Sequence, residues 1–423
     1  MMYYENNAGF ASQLDENDPL RKWRNEFLFP QYNGKNVIYF TGNSLGLQQK
    51  TTKKYIEEEL EDWAKFGVEG HFYSRRPWFS YHDQLTDSVA NLVGALPQEV
   101  VVTHSLSTNI HLLMASFYNP LKGKKKIVYE KKAFPSDQYA LETQVQFYGL
   151  NPADCLIEVE PRDGEHTIHE EDIEAVISQH KDDLALVFIG GVNYYTGQLF
   201  DMARITKAAH AVGAYAGFDL AHAVGNIHLR LHEWKVDFAA WCSYKYLNSS
   251  PGGVSGMYIR KDHTENKSLR RFGGWWGHNK ERRFLMEPGF DPIPSAEAWQ
   301  LSNAPVLGMA AHLASLKIFD EVGMSALCEK RDKLTGYLEY IIKDIADKKQ
   351  CNFEIITPKE RDRRGCQLSI LLHGHGKDLF NKLTEQGIIA DWREPNVIRM
   401  APVPLYNSYT DIYEFGQILE KAL

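Results

Sequence analysis

The residues with chemical potential begin at Lys245, set in the stretch CSYKYLNSSPGG (Cys242 to Gly253), directly after the strand-like run Val236 to Trp241. A lysine delivered at the end of a strand can hold a carbonyl compound as a Schiff base. Twenty-six residues before it stands Asp219, with His222 three residues further on. A carboxylate and a lysine so arranged suit pyridoxal phosphate: the lysine takes the aldehyde, and the acid faces the ring nitrogen and keeps it protonated, so that the ring accepts electrons. The phosphate needs donors, and the start of the helical run after EVVVTHS (Glu99 to Ser105) offers free amides together with Ser107 or Thr108. Singly these residues have plainer readings, a lysine after a strand being usually a surface group and Asp-x-x-His a turn or cap.

What positions such a set is an alternation of short β-rich runs with helical patterns. EVVVTHS, KKIVYEKKAF, LALVFI, AYAGFDL and VDFAAW are the strand candidates, and LSTNIHLLMASFY reads at helical spacing. The segment Gln198 to Val212 places Leu199, Met202, Ala203, Ile205 and Ala209 near one side, a crossover helix stopped by Gly213. Strands joined by helices make a largely parallel sheet, whose ligands sit beyond the carboxyl ends of the strands. Those ends read Gly190-Gly191-Val192-Asn193, Asp219-Leu220-Ala221-His222 and Ser243-Tyr244-Lys245. VSGMYIR is a further strand, and Asp262 to Arg271 a surface excursion. From Val306 the texture changes to long helices (Val306 to about Glu321, Ser325 to about Asp347), strands FEIIT and CQLSILL, a helix near Lys377 to Gln386, IRMAP, and a closing helix from Tyr409. This predicts a second, smaller α/β unit.

Composition bounds the partners. A chain of 423 residues, 43% hydrophobic, with net charge −8 and pI near 6.1, carries no basic face for a nucleic acid. The cluster KGKKK (Lys122 to Lys126) reads as a solvated loop. The first twenty residues lack an apolar core, and the longest apolar run, Leu184 to Val192, is too short to span a bilayer, so neither secretion nor membrane insertion is expected. The five cysteines, Cys155, Cys242, Cys328, Cys351 and Cys366, are odd in number and widely spaced, as expected of reduced thiols in the cytoplasm. The HGHG tract at His373 to Gly376 lacks a third ligand and reads as a glycine-rich loop, not a metal site.

A set of longer motifs then resembles one family. TGNSLGL (Thr41 to Leu47), EGHF (Glu69 to Phe72), AFPSD (Ala133 to Asp137), NYYTGQ (Asn193 to Gln198), DLAHAVGN (Asp219 to Asn226), CSYKYLNSSPGG, GGWWGH (Gly273 to His278), LSNAPV (Leu301 to Val306) and IRMAPVPLYNS (Ile398 to Ser408) occur in the order of kynureninase motifs. The Asp-x-x-His and lysine elements are shared across pyridoxal-phosphate enzymes of the aspartate aminotransferase superfamily; AFPSD, GGWWGH and APVPLYNS are more specific. The resemblance implies an aspartate aminotransferase-like fold. Its large domain (51–305) has a mainly parallel, seven-stranded sheet flanked by helices, its small α/β domain is 306–423, and an N-terminal segment (1–50) joins the small one.

It also implies roles. Lys245 carries the cofactor, Asp219 pairs with the ring nitrogen with Asp137 nearby, and Phe134 stacks on the ring. Leu106, Ser107, Tyr244 and Trp275 meet the phosphate, His222 lines the pocket, and Arg399 clamps the α-carboxylate, a task for a bidentate guanidinium. Ser44, His71 and Asn303 match positions at the aryl end of the substrate, Asn303 also touching the cofactor. Where several relatives carry a hydroxyl near the cofactor's phenolic oxygen, this chain has Gly190-Gly191. The implied reaction is hydrolysis of L-kynurenine or 3-hydroxy-L-kynurenine to L-alanine and anthranilate or 3-hydroxyanthranilate, in a homodimer whose sites draw residues from both subunits. Blander readings make Phe134 core, Trp275 and Trp276 a packing wedge and Arg399 a surface ion pair. Two alternatives stand beside the implied function: a cysteine desulfurase or selenocysteine lyase, which would use Cys328, Cys351 or Cys366 on a mobile loop, and a non-catalytic scaffold that kept the fold.

Overall fold

The computed structural model describes residues 3–423 apart from His375, with only the backbone of Lys122. The strand candidates become β1 (Val100–Val102), β2 (Lys126–Glu130), β3 (Leu156–Val159), β4 (Leu184–Gly190), β5 (Tyr215–Asp219), β6 (Phe238–Trp241) and β7 (Gly256–Ile259). They form one seven-stranded sheet in the order β1-β7-β6-β5-β4-β2-β3. β7 pairs antiparallel with both of its neighbours, whereas β6-β5-β4-β2-β3 pair in parallel. Of the seven, β3 gave no sequence signal, because LIEV is short and half exposed at the sheet edge.

Side chains alternate across the sheet, so each strand feeds two cores. Val187 and Ile189 join the cluster holding Leu85, Val89 and Ile205, while Leu186 and Phe188 join the one holding Ile110, Leu113 and Leu141. A sheet apolar on both faces requires helices on both, which explains the continuous apolar strand sequences. Helix α1 (Leu106–Phe117) follows β1, and α2 (Pro135–Phe147) follows β2. The crossover helix α3 spans Met202–Ala211, starting later than its apolar pattern suggests, because the Asp201 side chain caps it at the Arg204 amide, 3.0 Å away. It ends before Gly213, whose φ of +70° is the left-handed turn expected there.

The smaller unit is a four-stranded antiparallel sheet. Its strands are β8 (Phe353–Ile355), β9 (Leu368–Leu372), β10 (Asp391–Arg393) and β11 (Val397–Met400), in the order β8-β9-β11-β10. Helices α5 (Met324–Lys349), α6 (Lys377–Thr384) and α7 (Tyr409–Ala422) complete its core, which takes in Ala11, Ile38 and Phe40 from the N-terminal segment. Ile38–Tyr39 also pairs in parallel with Ile388–Ile389. Helix α4 (Val306–Val322) instead packs into the large unit's core through Met309, Leu313 and Leu316.

One smaller expectation changes. Lys124 and Lys126 of the basic cluster are tied down, Lys124 donating to the Lys181 and Val212 carbonyls and Lys126 paired with Asp183 at 3.0 Å. The HGHG tract falls partly outside the described residues; His373 meets Glu354 at 2.9 Å. No helix among the described residues is long and apolar enough to cross a membrane.

Candidate active site

The carboxyl ends of β2, β4 and β5, with the loop after β6, surround a cavity of about 450 Å3. Ten of the residues singled out in the sequence line it: Ser44, Leu106, Ser107, Phe134, Asp137, Asp219, His222, Tyr244, Lys245 and Arg399. They come from segments more than 350 residues apart in sequence, brought together by the parallel order of the strands and by the small unit. Ser44 is held by the loop Thr41 to Leu47 lying on the lysine loop. The Gly46 amide donates to the Tyr244 carbonyl at 2.8 Å, and a Cβ at Gly46 would stand 2.4 Å from the Lys245 carbonyl, so only glycine permits the approach.

At the centre, Lys245 Nζ is 3.1 Å from His222 Nε2 and 5.8 Å from the centre of the Phe134 ring. Burial, and then the Lys245 charge with Arg399 and Arg393 behind it, hold His222 well below the usual imidazole range, so it is neutral. Asp219, 7% exposed, accepts a hydrogen bond from the Ala221 amide at 2.7 Å. Asp137 lies beside it at the N-terminal turn of α2. Burial raises both acids, but the Ala221 amide, Lys245 and Asp137 favour charge on Asp219, whereas Asp219 itself raises Asp137 further. Of the two, Asp137 is therefore pushed up further, while Lys245, the Ala221 amide and Asp137 work against burial at Asp219.

A third carboxyl escaped the sequence reading. Glu130 ends β2, is 3% exposed, and lines the same cavity. It accepts from the Gly190 amide at 3.0 Å and the Asn193 amide group at 3.3 Å. Burial pushes it up to about 8, with repulsion from Asp219 adding to the rise. A Cβ at Gly190 would lie 3.1 Å from Glu130 Oε1, so the glycine leaves room for this acid. The strand-end rule applied to β2 as it was to β4 and β5 finds Glu130.

The N-terminus of the twelve-residue α1 lines the cavity together with Gly252, Gly253 and Ser255, and Ser255 pairs with Thr103 and His104 just ahead of the helix. Ser255 Oγ is buried and has no hydrogen-bond partner, and the Leu106 and Ser107 amides open the helix, so this end is a nest for an anion. At the other end Arg399, 1% exposed, donates to the Tyr194 carbonyl and pairs with Asp391. Burial lowers it to about 10, yet it stays cationic at neutral pH. It is no surface ion pair. The Tyr194 ring meets Phe134 edge-on at 5.2 Å, and Phe134, 38% exposed, opens into the cavity instead of the core. Tyr194, given no role within the motif NYYTGQ, and Arg393, outside every motif, are further cavity residues.

Three expected residues do not reach this chain's own cavity. Trp275 is 43% exposed, donates from Nε1 to the Arg283 carbonyl at 3.2 Å and packs on Trp276 and Phe284. His71 and Asn303 meet each other at 3.5 Å on the same side of the molecule as the exposed Phe72. Geometry therefore separates them from Lys245 within one chain. Trp276, in contrast, is 1% exposed and does act as a packing wedge, with Arg283 stacked 4.7 Å from its ring.

No cysteine lines the cavity. Cys328 and Cys366 are buried in the core, and burial raises both thiols, so neither is poised as a sulfur acceptor.

Residues 327–419 match the family model described as "Kynureninase C-terminal domain". The chain is 56% identical to the kynureninase of Christiangramia forsetii over 100% of its own length and 99% of the relative's. It is 51% identical to that of Myxococcus xanthus, covering 99% and 97%. Among solved structures, the cysteine desulfurase CsdA from Escherichia coli superposes with a TM-score of 0.76 at 16% identity, over 95% of this chain and 98% of that one. The cystine C-S lyase C-DES, solved with cysteine persulfide, gives 0.76 at 14% identity over 92% and 99%. These two establish the shared fold.

Proposed function

The chain belongs to the kynureninase family, and from that premise we propose which of its residues carry the reaction. It is a pyridoxal-phosphate-dependent hydrolase of a carbon–carbon bond, cleaving L-kynurenine or its 3-hydroxy derivative between the β-carbon and the γ-carbonyl to leave L-alanine and the aryl acid. The cavity fits the cofactor: Lys245 for the aldehyde, ionised Asp219 for the ring nitrogen, Phe134 for the ring face, and the α1 amides with the unpartnered Ser255 hydroxyl for the phosphate. When bound, the cofactor supplies an electron sink for bonds broken at the substrate's α-carbon and β-carbon.

The chain's own residues do the rest. Lys245 Nζ removes the substrate α-proton as general base, and neutral His222 sets its position without repelling its charged form. Asp219 holds a proton on the ring nitrogen, its charge favoured by Lys245, the Ala221 amide and the hydrogen bond with Asp137. Arg399 binds the α-carboxylate, Ser44 lies toward the aryl group, and Tyr244, half-buried with its hydroxyl raised by burial, moves a proton near the phosphate. Trp275, which packs on the exposed Phe284, and the His71–Asn303 pair complete the cavity of a second copy in a homodimer. We also place the enzyme in the cytoplasm and divide it after residue 50 and after α4 instead of at residue 305, because α4 packs into the large unit's core.

The observation carrying this reading is that Lys245, Asp219 and the α1 N-terminus converge on one cavity in a chain 56% identical to a kynureninase. Borohydride treatment of the holoenzyme followed by peptide mapping tests it. The label is expected on the Lys245 peptide and lost in Lys245→Ala; label on a different amine would overturn the assignment.

A further inference from the structure

β10 carries Asp391 and Arg393 on one face and Trp392 on the other, and its antiparallel pairing with β11 sets Asp391 opposite Arg399. Asp391, Arg393 and Arg399 therefore share one face of the small sheet, and both arginines line the cavity. A single carboxylate serves both: Asp391 Oδ2 is 3.1 Å from Arg393 Nη2 and also pairs with Arg399 Nη2. Two guanidiniums against one carboxylate leave this wall with one uncompensated positive charge. Neither Nε–H has an acceptor, although both atoms are buried. The Tyr194 ring lies 5.8 Å from the Arg399 guanidinium carbon and 5.9 Å from that of Arg393, so one aromatic orients the two cations together. Their field reaches the reaction centre, since both contribute to keeping His222 neutral.

Resting on the reading of Arg399 as the carboxylate clamp, we propose that Arg393 is a second, specificity-determining contact for the substrate's α-carboxylate. Asp391 is the positioning residue that holds the two like charges side by side. An incoming carboxylate brings the wall to two cations against two anions and gives the unused Nε–H groups an acceptor. A primary amide of the same shape brings an acceptor but no charge. The pair of arginines therefore favours acid over amide more strongly than Arg399 does alone.

The test is calorimetric binding of 4-oxo-4-phenylbutanoate and of its primary amide to the holoenzyme. Both carry an aryl ketone but no amine, so neither can react with the cofactor. Arg393→Gln is expected to cut the acid-over-amide preference about tenfold, the scale of one charge-assisted contact, while leaving amide affinity unchanged. Arg393→Lys, which keeps the charge but not the planar fork, should restore part of it. An unchanged preference in Arg393→Gln, or an equal loss for acid and amide, overturns the proposal. Arg399→Gln separates the two readings. If it abolishes the preference while Arg393→Gln does not touch it, Arg393 alone is misassigned; if Arg399→Gln leaves the preference intact, the clamp reading itself falls.

Discussion

Replacing Asp219 by asparagine removes a charge and almost nothing else. The amide oxygen can still accept from the Ala221 amide, now at 2.7 Å, so the end of β5 and the turn into His222 keep their shape. What disappears is the carboxylate whose charge Lys245, the Ala221 amide and Asp137 favour against burial. A hydrogen bond to a charged group contributes ~1.5–3 kcal/mol, so cofactor retention should weaken by roughly 10- to 150-fold. Turnover should fall further, on the order of 10²–10³, because stabilisation of developing charge in a buried site is lost at the reacting centre. Equilibrium dialysis of the cofactor and steady-state kinetics at saturating cofactor measure the two losses separately, and thermal unfolding of the apoenzyme should match wild type. Asp219→Ala should add a stability loss of about 1–3 kcal/mol, since the Ala221 amide is then left without its acceptor. Retention and kcat of Asp219→Asn within about threefold of wild type, less than 1 kcal/mol, would refute the argument that this charge holds the ring nitrogen protonated.

Glu130 makes a stability prediction. Its folded-state pKa, raised to about 8 by burial, lies above the unfolded value, so its contribution is complete in acid and is lost as pH climbs through about 8. Glu130→Gln should remove that loss, its melting temperature gaining on wild type between pH 5 and 8; parallel curves would contradict the buried neutral acid. Asp237, at the opposite end of the sheet, carries the reverse sign. Burial alone would raise it, but His210 and His263 at 2.8 and 2.7 Å, the Ala216 amide and Arg260 bring it down to about 2. Its stabilisation, about 2–3 kcal/mol, is present above the unfolded carboxylate range and lost as pH falls toward 2. Asp237→Asn should flatten that acid limb and leave KM unchanged, as urea unfolding between pH 2 and 5 and kinetics at pH 7 would record.

Much of the cavity was legible because its residues sit where strands end. Asp219 closes AYAGFDL, Lys245 follows VDFAAW, and Leu106 and Ser107 open the helix after EVVVTHS. Glu130 obeys the same rule but lies inside the strand candidate KKIVYEKKAF, which runs past the true end of β2, so its place at a strand end was not visible. Arg393 was hidden for another reason: it belongs to a three-residue edge strand with no apolar alternation, and its importance comes from register with Arg399, which pairing across β10 and β11 creates.

By itself, then, the sequence determined the alternation that forces a parallel sheet, the lysine and aspartate at its productive edge, and the family motifs around them. Tertiary structure decided which motif residues share a cavity: Phe134 enters it, whereas Trp275, His71 and Asn303 do not line it. It also decided how burial and neighbouring charges shift the three acids, Glu130, Asp137 and Asp219. Chain order records which groups are available. Proximity and burial, which set hydrogen bonds and protonation, depend on distances between segments that only the packed sheet and its small-domain wall bring within a few ångströms.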